Sequence, residues 1–161
     1  MTNPERKEIP KRHFTASALI FNERNEVLLL KHKKLGVWLY PGGHIAENET
    51  PDETLLREVK EETGLSVEIL SNRDQSLGNK NVEVLYNPYA ILCEFIPASG
   101  SPHYHIDMIY LGLVNGRRKL QLNDKESEDI GWFSLDEIDK LPLFPNFRVL
   151  LKKVLTERKN Q

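Results

Sequence analysis

Residues 43–65 read GHIAENETPDETLLREVKEETGL, and the punctuation of this stretch defines an element before its chemistry is considered. Thr50-Pro51-Asp52-Glu53 forms a capping box, with threonine at the N-cap, proline at the first helical position and glutamate at the third. Gly64 supplies the left-handed residue that ends a helix. A helix from Pro51 to Thr63 follows. On it Glu58, Glu61 and Glu62 stand at i, i+3 and i+4, so their carboxylates share one face. Leu55, Leu56 and Val59 make the neighbouring apolar face, expected to pack on a sheet and leave the acids on the solvent side.

Like charges at this spacing oppose one another by a few tenths of a kcal/mol per pair. Arg57, four residues before Glu61, relieves part of that, but one guanidinium does not neutralise three carboxylates. Hard oxygen donors with incomplete charge compensation suit Mg²⁺ or Mn²⁺. Glu49, just ahead of the helix, adds a fourth carboxylate, and the Pro41-Gly42-Gly43 turn brings bare backbone near, so a glycine carbonyl can complete the shell. An acidic helix face taken alone is more often merely solvated.

The surroundings overturn that plain reading. Gly43, Glu49, Arg57, Glu58, Val59, Glu61, Glu62, Gly64 and Leu65 fill every defined position of a pattern that resembles the Nudix box. Average residue usage produces it by chance in a chain of this length on the order of once in ten million. The likeness extends through Trp38-Leu39-Tyr40-Pro41-Gly42-Gly43 and Gly131-Trp132-Phe133-Ser134-Leu135. The resemblance implies a Nudix-type α/β/α sandwich with a mixed sheet (α+β) and metal-dependent hydrolysis of a diphosphate linkage in a nucleoside diphosphate derivative. Carried over by position, it makes Glu58 and Glu62 metal ligands and Glu61 a ligand or the base. Arg57 orients the glutamates, and the Gly42 carbonyl and Glu49 join the metal shell. In this family a late-loop glutamate sometimes serves as ligand or base, and of Glu126 and Glu128 the latter is the candidate here.

The rest of the chain reads as one domain from residue 13 to 161 behind a short flexible arm, residues 1–12, with no internal repeat or linker. Strands are expected at 14–21, 26–31, 37–40, 65–70, 82–96 with a break near Asn87-Pro88, 103–114, 119–122 and 130–133. Ser134 caps a short helix to about Leu141, and Pro145 opens the last, with Phe147, Val149, Leu150, Val154 and Leu155 as its apolar stripe. Non-repeating strands around helices argue against a βαβ array.

Hydrophobic residues make up 39% and charged residues 29%, with net charge −2, so no nucleic-acid-coating or membrane-surface protein is expected and a nucleotide must be held by local cations or a metal. The lone Cys93, between Leu92 and Glu94, excludes an internal disulfide and reads as a buried strand thiol. No apolar leader or bilayer-length run is present, which makes the cytoplasm the expected location.

Weaker signals remain. His103, His105 and Asp107 alternate along a strand and so share a face, as a substrate-contacting or second metal-binding stripe, or simply as a polar strand face. His44 follows the glycine turn and can approach a phosphate. Trp38 and Tyr40 read as packing residues, and Lys31, Lys33 and Lys34 as a solvated basic loop. The rival functions are a non-catalytic nucleotide-sensing or protein-binding module of the same fold, and an isoprenoid diphosphate isomerase. An intact box speaks against the first and the setting of Cys93 against the second. The marks associated with ADP-ribose, dinucleoside polyphosphate and NADH specialists are not evident, which leaves nucleoside triphosphates, oxidised deoxynucleotides and nucleotide sugars.

Overall fold

The structure is a computed structural model that describes residues 10–97 and 101–161. Most of the expected arm, residues 1–9, lies outside them, and Arg12 already opens the first strand. The chain order is β1 (Arg12–Phe21), β2 (Val27–His32), β3 (Trp38–Leu39), β4 (Gly42–His44), α1 (Pro51–Thr63), β5 (Glu68–Ile69), β6 (Ala90–Ile96), β7 (His103–Leu113), β8 (Ser127–Phe133), α2 (Leu135–Ile138) and α3 (Pro145–Lys159).

One mixed sheet organises these elements. Its path runs β3-β2-β1-β7-β5, with β4 against β1, β6 against β7 and β8 against β2. β1 and β7 run parallel, His13 opposite His105 and Phe21 opposite Leu113, while every other pairing is antiparallel. A strand with both faces covered reads as a continuous apolar run, and β1 and β2 do so because each face has its own core. Leu19, Phe21, Val27, Leu29 and Ile109 face Ile138 of α2 and Phe147, Leu151, Val154 and Leu155 of α3. Ala16, Ala18, Ile20, Leu28 and Tyr110 face Leu55 and Val59 of α1. The helices thus flank the sheet as the expected three-layer sandwich.

Several local expectations give way to tertiary packing. The segment 119–122 forms no strand; the amides of Gln121 and Asn123 instead donate to the carbonyls of Thr63 (2.9 Å) and Glu62 (3.3 Å). A helix leaves its last carbonyls without internal partners, and this segment supplies donors. The glycine turn, read as the end of a strand, is itself a strand: Gly42, Gly43 and His44 pair with Ser17, Ala16 and Thr15. In α3 the buried stripe is Phe147, Leu151, Val154 and Leu155, and Val149 faces outward. On α1 Leu56 is exposed, while Asp52, Thr54 and Thr63 join Leu55 and Val59 in the interior. Cys93 is exposed, not buried: among the described residues β6 pairs only with β7, and nothing among them covers the face bearing Ile91, Cys93 and Phe95.

Candidate active site

The capping box of α1 forms as expected, the Thr50 hydroxyl accepting from the Glu53 amide and the Thr50 amide donating to the Glu53 carboxylate at 2.8 Å. At the other end Gly64 takes φ 76°, a left-handed conformation that costs a residue without Cβ nothing. Apolar burial of Leu55 and Val59 fixes the rotation of the helix, and that rotation turns Glu58 and Glu62 toward β4. A Cβ on Gly43 would lie 2.7 Å from the Glu58 carboxylate, so the bare backbone is what admits Glu58 there.

Arg57 organises the acids. Its guanidinium donates to both oxygens of Glu49 (2.7 and 2.9 Å) and to Glu58 (2.9 Å) and Glu61 (3.3 Å). A planar fork suits such simultaneous contacts. Arg57 and the Thr54 hydroxyl together hold the Glu49 carboxyl down to about 2, and the hydrogen bonds to Glu49 and then Glu58 raise the guanidinium above its ordinary value. Glu61 keeps 54% of its side chain exposed, against 19% for Glu58.

Glu62 is the exception. It makes no contact with Arg57 and does not lie on the solvent side; it is half-buried and accepts the Gly42 amide at 3.2 Å. Burial first, then the neighbouring charge of Glu58, pushes its carboxyl up to about 8, with smaller contributions from Glu126 and Glu61 and a partial offset from the Gly42 amide. Four glutamates thus face one arginine. Such a set, rich in hard oxygens and short of positive charge, fits a divalent cation of the Mg²⁺ class. Among the described residues only histidines bring three donor atoms within 4.8 Å of one another.

The two late glutamates lie in different surroundings. Glu128 lies on β8 and pairs with Lys31 at 3.0 Å. Glu126, one residue before β8, is the carboxylate whose charge reaches Glu62, and its carbonyl accepts the Lys33 amide at 2.8 Å. Alternation in the sequence does not reveal this, because the choice depends on how the loop folds back onto α1.

The expected stripe of β7 divides in two. Asp107 is 2% exposed, accepting the hydroxyls of Thr15 and Ser17 (2.8 Å each) and of Tyr40 (2.6 Å), so all its contacts are structural. Burial, then the charge of Asp107, raises Tyr40 above its ordinary value. His103 and His105 instead meet His44 of β4 and His13 of β1, which was not singled out in the sequence. Burial, then neighbouring histidines, lowers both His13 and His105. Trp38 packs edge-on against Phe133, and Tyr40 against Phe147.

Known proteins share this family and fold. The family model of the NUDIX domain matches residues 11–154. A solved NUDIX-family hydrolase from Clostridium perfringens is 30% identical, with a TM-score of 0.78 over 91% of this chain and 97% of that one. An 8-oxo-dGTP diphosphatase from Proteus vulgaris is 39% identical over 61 residues, 35% of this chain and 54% of that protein. An RNA pyrophosphohydrolase from a Marinomonas species is 43% identical over 47 residues, 29% of each chain. The chain thus spans about half, or less, of the length of these two relatives. Among the described residues no helix is long and apolar enough to cross a membrane.

Proposed function

The chain belongs to the NUDIX family, and on that premise we propose that it hydrolyses the diphosphate linkage of a nucleoside diphosphate derivative, using Mg²⁺ or Mn²⁺. The observation that carries this reading is the setting of Glu62: a half-buried carboxyl pushed up to about 8, beside Glu58 and against the Gly42 amide. A family member that only binds a nucleotide has no need to keep such a costly carboxylate cluster.

Glu58 and Glu62 would hold the cation, with Glu49, Glu61 and the Gly42 carbonyl nearby. When bound, the ion supplies charge neutralisation for the diphosphate and acidifies water. Arg57 keeps Glu49 ionised and holds both Glu49 and Glu58 aimed, through bonds of 2.7 to 2.9 Å. Glu61, more than half exposed and held by a single 3.3 Å contact, has a carboxylate oxygen free to take a proton from the attacking water. Glu126 is the second group suited to that role, in place of Glu128, which Lys31 holds on β8. A nucleotide substrate without stable nucleic-acid binding, and residence in the cytoplasm, belong to the same proposal.

The substrate class comprises nucleoside triphosphates, oxidised deoxynucleotides and nucleotide sugars, and the names of the relatives favour beginning with 8-oxo-dGTP and triphosphate-ended RNA. A hydrolysis panel of these compounds with ADP-ribose and dinucleoside polyphosphates, run with Mg²⁺ and with Mn²⁺, tests it. The expected result is metal-dependent release of a nucleoside monophosphate, pyrophosphate or phosphate from at least one member. Turnover unaffected by chelation would sink the proposal.

A further inference from the structure

Four of the five histidines of the chain come from three different strands and meet at one corner of the sheet. The parallel register of β1 and β7 sets His13 opposite His105, and the register of β4 sets His44 opposite Thr15, the next residue of β1 on that face. His103 lies two residues from His105 and so on the same side. The ring centroids of His13 and His103 are 4.7 Å apart, those of His103 and His105 4.9 Å, and those of His44 and His105 4.9 Å. The donor atoms of His13, His103 and His105 all lie within 4.8 Å of one another.

We propose that His13, His44, His103 and His105 form a second metal site, one that takes a Zn²⁺-class transition ion. Imidazole nitrogens are borderline donors that suit zinc, nickel and copper better than magnesium. Two nitrogens bound to one tetrahedral zinc at its usual bond length lie about 3.3 Å apart. The Nε2 atoms of His103 and His105 already stand at 3.1 Å. His103 also has the supporting contact typical of such ligands: its Nδ1 lies 3.0 Å from the Ser101 carbonyl, which fixes that nitrogen as the N–H donor and leaves the Nε2 lone pair, which faces His105 Nε2, as the one an ion would take. His13 completes the three-donor group, the His44 ring stands beside it with its centroid 4.9 Å from that of His105 and 5.3 Å from that of His13, and His13 and His44 line an open depression with Phe14 and Ile45 through which an ion can enter.

This site is separate from the carboxylate site. Along β4 the two lie back to back: Gly43 meets Glu58 on the α1 side, whereas the next residue, His44, points to the side of His105. The inference therefore stands or falls independently of the proposed hydrolysis.

The test is a Zn²⁺ titration of the full chain in excess Mg²⁺, followed by calorimetry and by elemental analysis after dialysis. One Zn²⁺ per chain with Kd below about 1 µM is expected. In His103→Ala/His105→Ala the affinity falls by at least about a hundredfold, with circular dichroism unchanged. Glu58→Gln/Glu62→Gln retains it. Should the double histidine variant fail to fold, His44→Gln at an exposed position is expected to weaken Zn²⁺ about tenfold. Co²⁺ in the wild type should show the intense visible bands of a tetrahedral site. Absence of stoichiometric Zn²⁺, or Zn²⁺ that survives the histidine substitutions and leaves with the glutamates, overturns the proposal.

Discussion

Glu62 and Gly43 show how much of the site rests on single residues. In the folded chain Glu62 titrates near 8, against an ordinary value of 4.5, so without a cation the folded state holds a proton that the unfolded state releases. Between these values the unfolded chain binds fewer protons, and stability must fall as pH rises from about 4.5 to about 8. Melting curves of the metal-free protein should show that decline, and Glu62→Gln should flatten it. Cation binding needs the ionised carboxylate, so Mg²⁺ affinity is expected to rise by up to about tenfold per pH unit and to level off above pH 8. Affinity independent of pH in this window would contradict the assignment of Glu62 as a ligand. Gly43→Ala places a methyl 2.7 Å from the Glu58 carboxylate, whose flexible side chain gives way before the backbone does. The melting temperature should therefore change little while Mg²⁺ affinity drops about tenfold or more, as calorimetry would register. At this scale the sequence was informative wherever spacing alone determines position, as for Glu58, Glu61, Glu62 and Arg57 on one helix. It was uninformative where the fold decides. A loop path brings the charge of Glu126 to Glu62, and His13 joins His103 and His105 through a parallel register between residues far apart in the chain.

At the scale of elements, Asp107 ties two strands and a turn together. It sits on β7 and accepts hydroxyls from Thr15 and Ser17 of β1 and from Tyr40 between β3 and β4. Asp107→Ala leaves three buried hydroxyls without their acceptor and is expected to cost about 3 kcal/mol or more in urea denaturation. A loss below 1 kcal/mol would show that the hydroxyls find other partners. The helices were readable because caps and apolar period agree: Thr50 with Glu53 and Gly64 for α1, Pro145 for α3. The long strands β1, β2 and β7 were readable as apolar or alternating runs. The segment 119–122 was not, because its backbone donors serve the end of α1 instead of a neighbouring strand. Nor was the exposure of Cys93, since the alternation along β6 marks two faces without saying which one is covered.

Across the whole molecule, the sheet buries a core on each side, and α1 belongs to one of them through Leu55 and Val59. The carboxylates therefore ride on a rigid element at the edge of the interior, which is where a preorganised charge cluster costs least to keep aligned. A near-neutral protein with net charge −2 can then attract a polyanionic nucleotide only through the local ion, not through its overall field. Hydrolysis by this cluster is tested most directly by comparing kcat of the wild type with those of Glu62→Gln and Glu61→Gln on the best substrate, under saturating Mg²⁺, with melting curves as the folding control. Both variants are expected to remain folded and to lose at least about a hundredfold in kcat. Folded variants that turn over at near wild-type rates would contradict it.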